Sequence, residues 1–147
     1  MNDETVELLR EADSGTAMGK DALEEILPGV KDPKLRQHVQ ESLQEHCDLG
    51  NRIHDALNRF GHEGESAKPV ARVMAKMKTE WKLRTDGGDR TAAELLSEGA
   101  DMGIRSVTDM AAKCPHADKD AKKLAEELVK IEEKLSRYAR DYLEKTN

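Results

Sequence analysis

Apolar residues recur at intervals of three and four through most of this sequence, the spacing that lines one face of an α-helix. Over residues 3–27 the stripe reads Leu8, Leu9, Ala12, Gly15, Thr16, Gly19, Leu23 and Ile26, and the small residues at its middle imply a close helix neighbour. Pro-Gly-Val-Lys-Asp-Pro then predicts a turn, with Asp32 placed to cap a second helix and Pro33 to take its first position. That helix carries Val39, Leu43, His46, Gly50, Ile53, Leu57 and Phe60 and ends near Gly61. After a polar stretch, Val70, Val73, Met74, Met77 and Trp81 predict a shorter helix from Pro69 to Arg84, about 25 Å long at 1.5 Å per residue. A capping box, Thr91-x-x-Glu94, predicts the next start, and Leu95, Leu96, Ala100, Gly103, Val107 and Met110 form its stripe up to Cys114-Pro115. The last helix has a heptad-like seam of Ala121, Leu124, Leu128, Ile131, Leu135, Tyr138 and Tyr142.

Four long stripes can be buried only against one another, and short turns at 28–33 and 114–118 make two antiparallel hairpins. The expected fold is all-α: a four-helix bundle forming a single domain over residues 1–147. The Pro69–Arg84 helix would be an additional short crossover, carrying the chain back so that the fourth predicted helix runs parallel to the second. That is the single-crossover topology of ferritin-like folds.

Composition narrows the function classes. Only four aromatic residues, few β-branched runs and no alternating apolar segment argue against strands. No apolar run is long enough to span a bilayer, and the acidic start, Met-Asn-Asp-Glu, is unlike a signal peptide, so a cytoplasmic protein without membrane contact is expected. The net charge of −6 argues against nucleic acid as a partner, because displacing counterions from phosphates needs a basic surface. Cys47 and Cys114 lack CxxC partners and are expected as free thiols.

The Leu8-Leu9 entry followed by Asp13-Ser14-Gly15, the lone Trp81 in the short helix, and Leu95-Leu96-Ser97-Glu98-Gly99-Ala100-Asp101 resemble a group of bacterial ferritin-like proteins built on a domain of unknown function. The resemblance implies a bacterial four-helix bundle with an extra helix and brings no assigned reaction. Ferritin-like di-metal sites take a glutamate from each of two helices and a Glu-x-x-His from each of the other two. Glu-x-x-His occurs nowhere in this chain, and Leu128, Ile131, Ala100 and Gly103 occupy the stripes where carboxylates would be needed. Neither a metal nor another cofactor is therefore expected.

Asp13 and His46 are the candidate polar core pair, because both fall on or beside otherwise apolar stripes. If the turn pairs residue 27 with residue 33, they face one another within one position. They would form either a buried ion pair that fixes helix register, the simpler account, or a remnant metal or proton-transfer site. His38, His46, His54 and His62 recur every eight residues, but that spacing spirals around a helix and makes no metal ladder. Met18, Met74, Met77, Met102 and Met110, with Trp81, fit core packing more simply than a flexible binding surface.

Charge is distributed unevenly. Residues 1–27 hold eight acids and two bases, whereas residues 68–84 hold six bases and only Glu80. Lys68, Arg72 and Lys76 would form a basic edge on the short helix, the candidate interaction surface, with an ordinary solvated face as the simpler account. The expected function is non-enzymatic, acting through protein association in a possible homodimer. The alternative is a divergent metal-binding protein or oxidoreductase with a degenerate site at Asp13 and His46.

Overall fold

The computed structural model describes residues 3–59 and 88–146, which form four long α-helices and contain no strand. They are α1 (Asp3–Ile26), α2 (Pro33–Arg59), α3 (Gly88–Lys113) and α4 (Lys119–Lys145). The predicted Pro69–Arg84 helix, with Lys68, Arg72 and Lys76, lies outside the described residues.

The ends follow local chemistry. Asp32 caps α2, its Oδ2 accepting the Leu35 N–H at 2.9 Å, and Pro33 opens the helix where a missing N–H costs nothing. Helix α3 begins earlier than the capping box implies: Gly88 adopts φ +86°, Thr91 lies inside the helix, and Glu94 pairs with Arg90 at 3.6 Å. At the other end Cys114 leaves α3, and the Ala117 N–H closes a tight turn on its carbonyl at 3.1 Å.

Around the bundle, α1 packs against α2 and α3, and α4 packs against the same two helices, with α1 and α4 also meeting across the short diagonal. Neighbours around the ring are antiparallel. Call the end that holds Asp3 and the 114–118 turn the lower end. Helices α1 and α4 rise from it, while α2 and α3 descend together from the upper end, where Asp89 binds the 31–32 backbone. The parallel course of α2 and α3 matches the expected direction. The end of α2 and the start of α3 therefore lie at opposite ends of the bundle, about 40 Å apart by helix rise.

Each turn is held by the opposite hairpin. The Asp89 carboxylate of α3 accepts the Lys31 and Asp32 N–H groups at 2.7 and 2.9 Å. At the lower end, Glu4 Oε2 accepts the His116 N–H at 2.9 Å and Thr5 Oγ1 accepts the Asp118 N–H at 2.7 Å. Backbone donors without helical partners are thus satisfied by side chains from across the bundle.

The register of the first hairpin differs from the one expected. Leu27–Gly29 continues upward as a 3-10 turn and Val30 follows in extended backbone, so the chain climbs before it reverses. Asp13 consequently meets residue 54 rather than 47, and Gly19 meets residue 46 rather than 41, shifts of seven and five positions.

The core divides at mid-height. A lower cluster gathers Leu8, Leu9, Ile53, Leu57, Val107 and Leu128, and an upper one gathers Leu23, Ile26, Leu35, Val39, Leu96 and Ala139. Ile53 is fully buried in the lower cluster, whereas Met102 on α3 is 61% exposed. Truncation at Ile53 should therefore leave a cavity and cost about 2–5 kcal/mol. Met102→Ala should stay within about 0.5 kcal/mol of the parent, as surface substitutions do. Urea unfolding of the two variants checks both values.

Candidate functional site

Between the two apolar clusters lies a layer of small and polar residues, and His46 of α2 and Glu132 of α4 occupy its centre. Both are buried, at 1% and 5% exposure, and His46 Nε2 is hydrogen-bonded to Glu132 Oε1. On the other side of the ring, Nδ1–H donates to the Ser42 carbonyl at 2.7 Å, one turn back along α2. The pair fits because two glycines stand against it. A Cβ on Gly19 of α1 would lie 2.5 Å from His46 Cδ2, and one on Gly103 of α3 would lie 2.7 Å from Glu132 Oε2. The small stripe positions near the middle of α1 and α3 therefore make a notch for the His46–Glu132 pair held between α2 and α4.

Burial pushes the His46 pKa down, but the hydrogen bond and charge of Glu132, the Ser42 carbonyl and the Glu45 charge together outweigh it, leaving the imidazole above its ordinary 6.5. Glu45 is itself paired with Lys134 at 3.3 Å, over a small cleft lined also by His38, Ser42 and Tyr138. His38 stacks on Tyr138 with ring centroids 3.5 Å apart. The cleft's volume of about 10 Å³ is room for one water molecule, far below the space a substrate occupies.

Asp13 and His46 are both buried, but the structure gives each a different partner. Asp13 Oδ1 meets His54 Nδ1 at 3.1 Å, and the His54 side chain is half exposed. His54 is eight residues beyond His46, about 12 Å along α2, so the two contacts occupy separate levels. The expectation that Asp13 and His46 face each other is corrected by the climbing connection at 27–32, which slides α2 along α1.

Sequence reasoning missed Glu132. It followed Leu128 to Ile131 along α4, yet Ile131 is only partly buried. The true seam passes through Ala121, Ala125, Leu128, Glu132, Leu135 and Ala139, with steps alternating four and three. The seam through Leu124, Ile131 and Tyr138 alternates in the same way, so the distinguishing signal is the small residues Ala121, Ala125 and Ala139 on α4 together with the glycines at 19 and 103.

The residues do not fit the di-metal arrangement that a ferritin-like resemblance implies. Glycines 19 and 103 stand where further ligands would have to reach His46 and Glu132, and those two side chains engage each other. Among the described residues, no group of three or more His, Cys, Asp or Glu side chains is placed to hold a metal ion. Cys114 is buried beside Glu7, and burial together with the Glu7 and Glu4 carboxylates pushes its thiol up, away from nucleophilic use. Met110 packs on the lower cluster, and Met74, Met77 and Trp81 lie outside the described residues.

Neither a protein-family model nor a curated protein matches the sequence. In shape the chain is similar to a solved structure, a DUF305 fragment from Deinococcus radiodurans. The TM-score is 0.77 at 15% identity, covering 98% of this chain and 97% of that one. The likeness defines an all-α, four-helix bundle as the class of fold. Among the described residues no helix is long and apolar enough to cross a membrane.

The glycine notch makes a directional expectation. Gly19→Ala and Gly103→Ala should each destabilise by about 1–3 kcal/mol, because the ion pair must shift to admit a methyl group. At Gly99, where a Cβ would meet nothing within 4 Å, alanine should be neutral or stabilise by up to about 1 kcal/mol through its better helix propensity. Equal effects at all three positions, measured by urea unfolding, would contradict the notch.

Proposed function

We propose that this chain is a bacterial, cytoplasmic, ferritin-like bundle of a single domain, without a reaction of its own, that acts by protein association, first with a second copy of itself. In this reading Pro69–Arg84 is the crossover helix, and its basic edge of Lys68, Arg72 and Lys76 is the docking surface. The observation that carries the proposal is the charge pattern: −6 over residues 1–27 against +5 over residues 68–84. Two features of the bundle support it. The buried carboxylate and imidazole at mid-height are spent on each other, and the adjoining cleft has room for about one water.

Helix α1 is not uniformly available for such docking. Glu7 and Glu11 reach Cys114 and Ser106, and Glu4 holds the 116 backbone, so these three acids are committed within the chain. The proposal assigns the basic edge to the acidic run toward the C-terminal end of α1, where exposed Glu24 pairs with Lys20 at 3.9 Å, a long surface contact that a partner's basic side chain can displace. In a symmetric dimer each basic edge would meet the partner's α1, giving two equivalent contacts about the two-fold axis.

Light scattering at tens of micromolar and low salt should give twice the mass of one chain. The double variant Arg72→Glu with Lys76→Glu should weaken the dimer about tenfold or more, and salt should weaken it moderately, since rim charges are screened beyond about 10 Å at 0.1 M. A monomer under these conditions, or a dimer indifferent to both reversals, removes the main support for association.

A further inference from the structure

We propose that the waist of the bundle is a proton-binding site, in which one proton held between His46 and Glu132 keeps α2 closed on α4, and that its loss loosens this seam. The inference goes beyond the association reading and does not depend on it.

The geometry of the ring carries the proposal. His46 Nδ1 lies 2.7 Å from the Ser42 carbonyl oxygen, which only accepts, so Nδ1 carries a hydrogen. With Nδ1 protonated, a neutral ring has a lone pair at Nε2, and Nε2 points at Glu132 Oε1. Lone pair and carboxylate oxygen cannot bond to each other. The contact requires one further proton, shared by the pair whichever atom holds it. Without that proton, two acceptors are pressed together in a site from which Gly19 and Gly103 leave no obvious retreat.

The surroundings favour keeping the proton. On α2, Glu45 adds negative charge near the ring, though Lys134 of α4 partly offsets it at 3.3 Å. On α4, one turn beyond Glu132, Ser136 donates to Asp101 of α3 at 2.7 Å, and Arg140 also binds Asp101. Helix α1 presents Gly19 to the ring, and α3 presents Gly103 to the carboxylate. His38 and Tyr138 line the adjoining cleft. Removing the proton thus leaves an uncompensated negative charge between two apolar clusters, the costly half of breaking a buried pair.

The sign follows from linkage. A histidine whose folded pKa exceeds its unfolded value contributes stability that is complete below the unfolded pKa and lost as pH rises through the folded pKa. Between the ordinary 6.5 and the raised value, the unfolding constant should increase by up to tenfold per pH unit.

The test combines imidazole nitrogen NMR with urea unfolding of the full chain between pH 5 and pH 9. The His46 ring should remain protonated above pH 6.5. In Glu132→Gln, the introduced carboxamide can donate to a neutral Nε2, so the contact needs no extra proton and this part of the pH dependence should disappear. A wild-type His46 that is already neutral at or below pH 6.5 overturns the proposal, as does an unchanged pH dependence in Glu132→Gln. If that variant does not fold, the wild-type ring titration decides the question by itself.

Discussion

Placing an ion pair in the middle of a helical bundle constrains everything at its level. Desolvating an imidazolium and a carboxylate costs several kcal/mol per ion, recovered only if the pair is close and its remaining hydrogen-bonding atoms are satisfied. Here His46 is anchored through Ser42, one turn away, and its other nitrogen reaches Glu132 across the α2–α4 seam. That reach demands space on the two remaining helices. Gly19 and Gly103 supply it, which explains why α1 and α3 are poor in large side chains where a uniform apolar core would carry leucine. The apolar core consequently splits into upper and lower clusters.

Much of this organisation was legible in the sequence. The three-and-four spacing of Leu8, Leu9, Ala12, Leu23 and Ile26, and of Val39, Ile53 and Leu57, marks residues that are buried, and Asp32-Pro33 marks a start that is capped. Register was not legible, because it depends on whether Leu27–Gly29 reverses the chain or extends it, and Pro-Gly is compatible with both. Val30 is the deciding residue: it is buried in the upper cluster, which requires the connection to climb. Asp13 and His46 are buried polar groups, but the partner of each is set by long-range register that local spacing does not encode.

Glu132 illustrates a second limit. A glutamate on a helix rich in charge reads as solvent-facing, and the seam through Ala125, Leu128, Leu135 and Ala139 that places it inside has the same three-and-four spacing as the one through Leu124, Ile131 and Tyr138. Binary patterning treats a buried charge as an error to be stepped over. The departure from the local rule coincides with the position where two helices are tied by a specific contact rather than by area.

The turn contacts carry one more consequence. Asp89 of the second hairpin completes the connection of the first, while Glu4 and Thr5 of the first hairpin complete the turn of the second. Each hairpin closes part of its own bend, through Asp32 in the first and the Cys114 carbonyl in the second, and takes the remaining acceptors from the other. The molecule is in this respect an intramolecular heterodimer, whose halves are templates for each other's corners. Docking therefore completes both bends at once. Severing the covalent tether between Arg59 and Gly88 would leave two fragments with reciprocal needs, each holding the acceptors for the other's exposed amides.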